Sequence, residues 1–459
     1  MKLSFFFAGL ATLTLVGCGG SSATTPVSAV HNQWTWVAGS NIANPLGNYG
    51  TQGTAAKSNF PGGRSGGCVR SDSSGNVWLF GGSGKGSTES SVEYPALNDL
   101  WKYNGGQWTW ESGSKDGLQA GSYGTMGSAS PSNVPGARVE ASCWIDGSGS
   151  FWLFGGMGMD SAGTYGILND LWKYSGGQWA WISGSNIANQ PGSYAQQGSA
   201  STANVPAARQ DSAVWTDKAG KVWLFGGGSL NGVRLNDLWT FDGREWTWVS
   251  GTYNASHQGV YGTLGTAAAS NLPGGRDRAM NWIDSSGNLW LFGGIGFDSS
   301  ANTLGDVPLN DLWKYSSGQW TWEGGSNVGY GNATYGTKGV AAAANAPGAR
   351  YGGVTWADAE GNFWLFGGSG LDSANGEGEL ADLWKYSNGQ WTWMNGSNVI
   401  GPEPVFGTQG NPAAANTPGT WSGEETWTDS AGNLWMFGGY GNDSTGAVGV
   451  LNTLMEYQP

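Results

Sequence analysis

The sequence predicts an all-β fold assembled from six copies of one four-stranded unit. Two observations predict this fold. The 459 residues are rich in glycine and aromatics, with 83 Gly and 29 Trp, and the chain repeats internally with a period of about 70 residues. Aromatic side chains at 13% supply apolar surface for a core, so the glycine content does not indicate a disordered chain.

Four sequence blocks recur in fixed order and define the strands of each unit. Strand one follows Pro-Gly-x-Arg (Pro-Ala-Ala-Arg in the third unit), which supplies Arg64, Arg138, Arg209, Arg276 and Arg350, with Trp421 in the sixth unit. Trp-Leu-Phe-Gly-Gly, predicted as strand two, starts at Trp78, Trp152, Trp223, Trp290, Trp364 and, with Met for Leu, Trp435. Leu-Asn-Asp-Leu-Trp, predicted as strand three, starts at Leu97, Leu168, Leu235 and Leu309, with variants at Leu380 and Leu451. Gln-Trp-Thr-Trp, predicted as strand four, starts at Gln33, Gln107, Gln319 and Gln390, with variants at Gln178 and Glu245.

Four-stranded units repeated six times, with paired glycines after the second strand, are typical of a β-propeller. The predicted antiparallel blades start near residues 64, 138, 209, 276, 350 and 421. A strand-four block comes first in the chain, whereas the sixth unit stops at strand three. We therefore expect residues 33–37 to become the outer strand of blade six, closing the ring and covering an open sheet edge.

These blocks resemble the kelch family, whose units carry paired glycines, a downstream acidic-aromatic stretch and a strand-four Trp. The resemblance covers nearly all of residues 32–459 and implies a six-bladed kelch-type propeller. Kelch propellers include enzymes, adaptors and adhesins, so the resemblance does not select a function.

The first eighteen residues predict export. Lys2 precedes an apolar run that ends at Leu15-Val16-Gly17-Cys18, and this ending resembles a bacterial lipobox. We expect residues 1–18 to be a lipoprotein signal peptide with lipidation at Cys18, and residues 19–31 to be a flexible tether. Gly rather than Asp after Cys18 implies an outer-membrane or cell-surface lipoprotein facing the surface or the periplasm; an ordinary secretory signal is the alternative.

Composition excludes several partners and cofactors. A net charge of −13 without a Lys/Arg cluster argues against nucleic acid. Kelch-like propellers include the copper-radical galactose oxidases, whose copper needs two His and a Tyr cross-linked to Cys. Here His31 lies in the tether and His257 in a loop, so a copper site of that kind is not expected. Cys68 and Cys143 have opposite side-chain parity in adjacent inner strands, and we expect them to be separate buried thiols.

Most of the tryptophans are predicted to build the fold. All except Trp421 fall at repeated positions of strands one to four, where we expect packing between blades rather than sugar stacking. Asp-Ser recurs four residues after the paired glycines, at Asp160, Asp298, Asp372 and Asp443. No calcium-loop spacing accompanies these aspartates, which favours Asx turns over a calcium site.

Candidate site residues lie where strand one begins, at the expected mouth of the central channel. The five repeated arginines could form an anion clamp, or they could be structural groups that fix the long loops. By long loops we mean the connections from strand two to strand three and from strand four to the next strand one, which are expected on one face of the propeller. The residues that follow them differ between units and include Glu140, Asp211, Asp277, Arg278, Tyr351, Glu424 and Glu425, beside the exceptional Trp421. Such carboxylates could serve acid–base catalysis or bind a cation or polyol, or they could be solvated channel-lining charges.

The function we expect from the sequence is non-catalytic recognition of a glycan or extracellular protein through the face that carries the long loops. One alternative is a carbohydrate-active enzyme similar to sugar-acid mutarotases, with Glu140, Asp211, Asp277, Arg278, Glu424 and Glu425 as its catalytic groups. A second alternative is a structural envelope protein.

Overall fold

The computed structural model describes residues 31–252, 256–300, 306–358 and 360–459. Within these ranges the chain is built from antiparallel strands, and six sheets each contain the four predicted strands of one unit in the order one-two-three-four. Residues 1–30, with the predicted signal peptide, the predicted lipidation at Cys18 and nearly all of the predicted tether, lie outside the described residues. No helix in the described ranges is long and apolar enough to cross a membrane.

The bounds of the four strand types follow the sequence blocks closely. Strand one spans Cys68–Ser71, Ser142–Ile145, Ala213–Thr216, Met280–Ile283, Val354–Ala357 and Glu425–Thr428. Strand two spans Val77–Phe80, Phe151–Phe154, Val222–Gly228, Leu289–Gly296, Phe363–Leu371 and Leu434–Phe437. Strand three spans Leu100–Asn104, Leu171–Ser175, Arg234–Phe241, Val307–Ser316, Glu377–Ser387 and Leu454–Gln458. Strand four spans Gln107–Ser112, Gln178–Ser183, Trp246–Ser250, Gln319–Gly324, Gln390–Gly396 and Gln33–Ala38.

Short strands extend the sheets near the start of strand one and in the connecting loops. They span Arg64–Ser65, Ser83–Gly84, Ala129–Ser130, Arg138–Val139, Met157–Met159, Tyr165–Ile167, Ala200–Ser201, Arg276–Asp277, Arg350–Tyr351, Trp421–Ser422, Tyr440–Asn442 and Val448–Val450. A single 3₁₀ turn at Leu230–Gly232 is the helical element of the described residues.

The N-terminal strand completes the sixth sheet. Gln33–Ala38 pairs antiparallel with Leu454–Gln458, with Trp34 opposite Tyr457 and Trp36 opposite Met455. This is the pairing that the order of the sequence blocks predicts. It covers the outer edge of the C-terminal sheet with a segment from the other end of the chain.

Neighbouring units pack face to face through aromatic clusters, as predicted for the repeated tryptophans. In one cluster Phe80 and Leu100 of the first unit meet Leu153, Trp172 and Trp179 of the second. Another cluster joins Trp427 and Phe437 of the sixth unit to Leu79, Trp101 and Trp108 of the first. Each buried indole removes about 150–250 Å² from water, which makes these clusters the main apolar stabilisation.

The structure corrects the prediction for the two cysteines, because Cys68 and Cys143 form a disulfide with their Cα atoms 6.0 Å apart. Opposite side-chain parity does not keep the two cysteines apart, for a geometric reason. Two sheets that pack face to face present opposite faces to each other, so side chains of opposite parity in adjacent inner strands point toward one another. The disulfide therefore links the innermost strands of the first and second units.

The five repeated arginines are structural groups, and the anion-clamp expectation is wrong for them. Arg64 is fully buried and makes a bidentate ion pair with Asp99, with both N–O distances 2.8 Å. Asp99 also accepts hydrogen bonds from the hydroxyl of Tyr49 and the indole of Trp101. Equivalent buried clusters form around Asp170, Asp237, Asp311 and Asp382. Since every guanidinium nitrogen is buried and hydrogen-bonded inside the protein, these arginines are not available to a ligand.

The long loops are also pinned to the framework. Each of the first five loops before strand one carries a Tyr whose hydroxyl donates to the Asp of the buried cluster, namely Tyr49, Tyr123, Tyr194, Tyr261 and Tyr335. A second anchor is an Asn whose side-chain amide donates to a strand-four Trp carbonyl, as in Asn59 to Trp108 and Asn416 to Trp34. The loops therefore hold successive units together, and much of their length is not free for recognition.

Candidate functional site

A cavity of about 630 Å³ opens where the six strand-one segments begin. All six units contribute lining residues at equivalent positions, so we call it the shared cavity. They include Ser65, Gly66, Gly67, Glu140, Asp211, Arg278, Tyr351, Gly352, Ser422, Gly423 and Glu424. Its size is in the range of pockets that take small ligands.

A collar of backbone hydrogen bonds surrounds this cavity. It is formed by the residue two positions after each repeated Arg or Trp421, namely Gly66, Glu140, Asp211, Arg278, Gly352 and Gly423. The amide of Gly66 donates to the carbonyl of Gly423, and the amides of Glu140, Asp211, Arg278 and Gly352 each donate to the preceding unit at 2.8 to 3.1 Å. These five bonds connect all six units in series.

Half of the collar carries charges in a strained backbone conformation. All six collar residues have positive φ, which glycine adopts freely, yet three of them are Glu140 at 55°, Asp211 at 54° and Arg278 at 51°. A non-glycine residue held there costs about 1 kcal/mol or more, and such strain is concentrated at functional sites. The other half consists of Gly66, Gly352 and Gly423, and a Cβ on Gly352 would meet no atom within 4 Å.

The three charged collar residues form one ion cluster. The Arg278 guanidinium donates to Glu140 at 3.0 Å and to Asp211 at 3.1 Å. Gln210 donates its side-chain amide to the second carboxylate oxygen of Glu140 at 2.7 Å. Burial and the nearby Asp211 carboxylate raise the pKa of Glu140 to about 8. Arg278 stays 40% exposed through the cavity, so its charge can reach a bound molecule.

Glu424 and Glu379 bring carboxyl groups with unused hydrogen-bonding capacity to the same cavity. Glu424 is only 9% exposed, and neither of its carboxyl oxygens has a hydrogen-bond partner among the described residues. Glu379 likewise has one buried carboxyl oxygen without a partner. Burial raises the pKa of Glu424 to about 8, with a further contribution from the Glu379 carboxylate. An unpartnered buried carboxyl is costly, which makes Glu424 a candidate group for ligand contact.

Three predicted site residues besides the five repeated arginines do not line the shared cavity. Trp421 is 1% exposed, and its indole donates to the Asn442 carbonyl. Asp277 is buried and pairs with Arg234 at 2.5 Å. Glu425 is buried and accepts the amide hydrogen of Gly67 at 2.7 Å. The placement of these residues at the cavity wall was therefore wrong, because their side chains are engaged in contacts within and between the units rather than at the opening.

Sequence reasoning missed Glu379 and Gln210. Glu379 immediately precedes the strand-three block, where Ala96, Ile167, Arg234, Pro308 and Val450 stand in the other units. The signal available in the sequence was that Glu379 occupies a position at which each of the other units has a different residue. Comparison of equivalent positions between units identified Glu140, Asp211 and Arg278. The same comparison at the position before the strand-three block would have identified Glu379.

The repeated Asp-Ser sites are Asx turns, as predicted. Asp372 accepts the amides of Ala374 and Gly376 through one oxygen and that of Ile400 through the other. These bonds lower its pKa and use its acceptor capacity. Within the described ranges, no three His, Cys, Asp or Glu side chains are grouped so that they could hold a metal ion.

No protein-family profile and no curated protein matches the chain. Among solved structures, it is similar to YjhT, with a TM-score of 0.47 and 13% identity, covering 86% of this chain and 95% of that chain. A fungal alcohol oxidase of the AA5 family, in complex with copper, gives a TM-score of 0.43 and 11% identity over 90% and 77% of the two chains. A protein of unknown function from Dyadobacter fermentans gives a TM-score of 0.42 and 9% identity over 90% and 98%. Likeness at this level does not transfer an activity, so the chemistry of the shared cavity must be considered by itself.

Proposed function

We propose that the six units form a closed, six-bladed, kelch-type β-propeller whose axis passes through the shared cavity. Three observations support this arrangement. The sixth unit packs on the first through Trp427 and Trp101, the N-terminal strand pairs in the sixth sheet, and the collar joins Gly66 to Gly423. In such a ring each innermost strand lines the axis, which places equivalent residues of all units around one opening.

The function we assign to this opening is recognition of an uncharged saccharide. The observation that carries the proposal is Glu424, a nine-tenths buried carboxyl that lines the cavity and has no partner for either oxygen among the described residues. Sugar hydroxyl groups both donate and accept, so they can satisfy Glu424 whether or not it holds a proton. Tyr351 and Tyr165 line the same cavity and add aromatic side chains to these polar groups.

Charge favours an uncharged sugar over a sugar acid. Arg278 is the cation among the cavity-lining residues, and Glu140 and Asp211 already share it. Glu379 and Glu424 add two more carboxyls to the wall. A sugar acid would find no unpaired cation among the lining residues, whereas a neutral polyol would find carboxyl oxygens that accept hydrogen bonds and the Arg278 guanidinium, which donates them.

We further propose that the protein is an exported lipoprotein anchored through Cys18 in the bacterial outer membrane or at the cell surface. The disulfide between Cys68 and Cys143 supports export, because such bonds persist in oxidising compartments. Recognition would then act on glycans of the envelope or the surroundings.

A second candidate function is catalysis on a saccharide. The observation that favours it is the raised pKa of Glu424, about 8, which keeps this buried carboxyl protonated at neutral pH as a general acid requires. Asp211 lines the same cavity as a second carboxylate.

The experiment is a glycan array with residues 31–459, followed by calorimetry on any glycan that binds. We expect selective binding to neutral glycans and at least about a tenfold loss of affinity in Glu424→Gln and Arg278→Gln. Arg278→Gln loses the charged donor, and Glu424→Gln replaces an oxygen that can accept by an amide nitrogen that cannot. Glu360→Gln, in an exposed turn, is the matched control and should bind as the unaltered protein does.

Two outcomes redirect the proposal. Binding that Glu424→Gln leaves unchanged would remove the shared cavity as the site. A blank array with folded protein would contradict glycan recognition and favour a protein partner or a structural role in the envelope. Proton NMR of the bound saccharide with catalytic amounts of protein tests the second candidate, since conversion that Glu424→Gln abolishes would establish catalysis.

A further inference from the structure

A second cavity, of about 380 Å³, lies next to the shared cavity along the innermost strands. The two cavities have Ala279, Gly353 and Val354 in common. We call this second space the lower cavity. Its wall is formed by strand-one residues of the third, fourth and fifth units, completed by Arg70 and Thr426 from the first and sixth.

The lower cavity has the opposite charge character to the shared cavity. Arg70 is the charged residue among its lining residues, and none of them is Asp or Glu. The polar side chains beside Arg70 belong to Thr216, Asn281, Thr355 and Thr426. A space with one cation and no carboxylate favours an anion, even in a protein whose net charge is −13.

Arg70 departs from the repeat in a way that packing does not require. Five units place Trp at this register of strand one, six residues after the repeated Arg or Trp421, namely Trp144, Trp215, Trp282, Trp356 and Trp427. Only the first unit has a charged residue there. Arg278 and Glu424 likewise occur in one unit each at their positions, whereas the framework residues recur in most units.

The guanidinium of Arg70 has unused donors. One N–H group donates to the carbonyl of Val69 at 2.7 Å, and Arg70 forms no ion pair among the described residues. Burial lowers its pKa, yet a guanidinium remains protonated at neutral pH. The Arg70 side chain is partly buried and has no carboxylate partner among the described residues, so a bound anion would gain charge-assisted hydrogen bonds there.

The polar neighbours of Arg70 are held in place by hydrogen bonds to the innermost strands, and none of them carries a negative charge. The side chain of Asn281 already donates to the Val214 carbonyl, and that of Thr355 donates to the Asn281 carbonyl. These two bonds occupy the backbone carbonyls of Val214 and Asn281 on the strand-one segments of the third and fourth units. Trp282 and Trp356, which also line the lower cavity, have buried indole N–H groups without an acceptor in the described part of the chain.

We propose that the lower cavity is an anion-binding site in which Arg70 holds a small inorganic anion of phosphate size. The site is separate from the saccharide function, because Arg70 does not line the shared cavity. It would give the axis an acidic opening at one end and a cationic site farther along the strands.

The test is calorimetric titration with inorganic phosphate of the unaltered protein and of Arg70→Met, Arg70→Lys and Arg244→Gln. We expect one phosphate per chain, at least about a tenfold weaker affinity in Arg70→Met, and partial recovery in Arg70→Lys, which keeps the charge but loses the planar fork. Arg244 is exposed in a turn, so Arg244→Gln should bind phosphate as the unaltered protein does.

Absence of phosphate binding to the unaltered protein, or an equal loss in Arg244→Gln, would overturn the proposal. Should Arg70→Met fail to fold, crystals of the unaltered protein soaked in bromide provide the second measurement. An anomalous peak within hydrogen-bonding distance of Arg70 supports the site, and peaks confined to the outer surface overturn it.

Discussion

The charges that repeat and the charges that do not repeat occupy different kinds of place in this protein. Arg64 and its four equivalents are buried, and internal acceptors satisfy them. Arg278, Glu424 and Arg70 occur once each at their register, line cavities and keep unused hydrogen-bonding capacity. In a repeat protein, recurrence therefore marks what the framework needs, and departure from the repeat marks what a ligand could use.

The sixth unit provides an internal control for the framework charges. It replaces the whole buried cluster together, with Trp421 for Arg, Thr453 for Asp, Phe406 for Tyr and Met455 for Trp. Phe406 and Trp421 then pack against each other with ring centroids 5.9 Å apart. A buried ion pair can be exchanged for apolar packing without loss when every partner changes together.

The largest effect should come from deleting residues 32–37. The deletion removes the outer strand of the sixth sheet, with the buried Trp34, and exposes the edge of Leu454–Gln458. We expect a strong decrease of the melting temperature, greater than for any single substitution, measured by calorimetry. Unchanged melting would contradict the closure of the ring by this strand.

The next effect tests the framework charges directly. Arg138→Met should lower the free energy of unfolding by about 3–5 kcal/mol, because it leaves the Asp170 carboxylate buried without its counterion. Urea denaturation of the variant measures the loss.

A matched variant separates charge removal from loss of packing. Arg138→Trp, Asp170→Thr, Tyr123→Phe and Trp172→Met together copy the sixth unit and should recover part of the stability that Arg138→Met loses. A combined variant less stable than Arg138→Met would show that the exchange depends on surroundings particular to the sixth unit.

A smaller effect, of opposite sign, is expected for the unrepeated Glu424. Its folded pKa of about 8 lies above the ordinary value of 4.5, so the folded state holds a proton that the unfolded state releases. Stability should therefore fall as the pH rises from about 4.5 to about 8. Glu424→Gln should flatten this slope and raise the free energy of unfolding at pH 8 by about 1–3 kcal/mol. A parallel pH profile in the variant would contradict the assignment.

The smallest effect on stability is expected for Glu140→Gly, which copies the glycine half of the collar. Relief of the strained positive φ, about 1 kcal/mol, should nearly balance the lost ion pair with Arg278. Denaturation should show a change within about 1 kcal/mol, while saccharide affinity falls because Arg278 loses a partner that orients it. A large loss of stability would place Glu140 among the framework residues.

The sequence predicted the strands well because each block carries its own turn chemistry and apolar pattern. The repeated Arg, the loop Tyr and the strand-three Asp were all visible as separate series, but their contact depends on loop packing that spacing alone does not provide. The disulfide was not predicted because side-chain parity was compared as if both cysteines lay in one sheet. They lie in two packed sheets, which present opposite faces to each other. The strain at Glu140, Asp211 and Arg278 could not be predicted from composition, although glycine at the same register in the other units was a usable signal.

In the described ranges, the collar also has one junction without a backbone hydrogen bond, which we call the seam. Its five hydrogen bonds leave one junction without such a bond in the described chain, between the Gly423 amide and the Gly352 carbonyl. Amide hydrogen exchange should therefore be slow at Gly66, Glu140, Asp211, Arg278 and Gly352 and faster at Gly423, whose N–H lacks this protection. Because Tyr351 and Glu424 flank that junction in the chain, local opening at the seam would widen the entrance beside the carboxyl that the proposed ligand must reach.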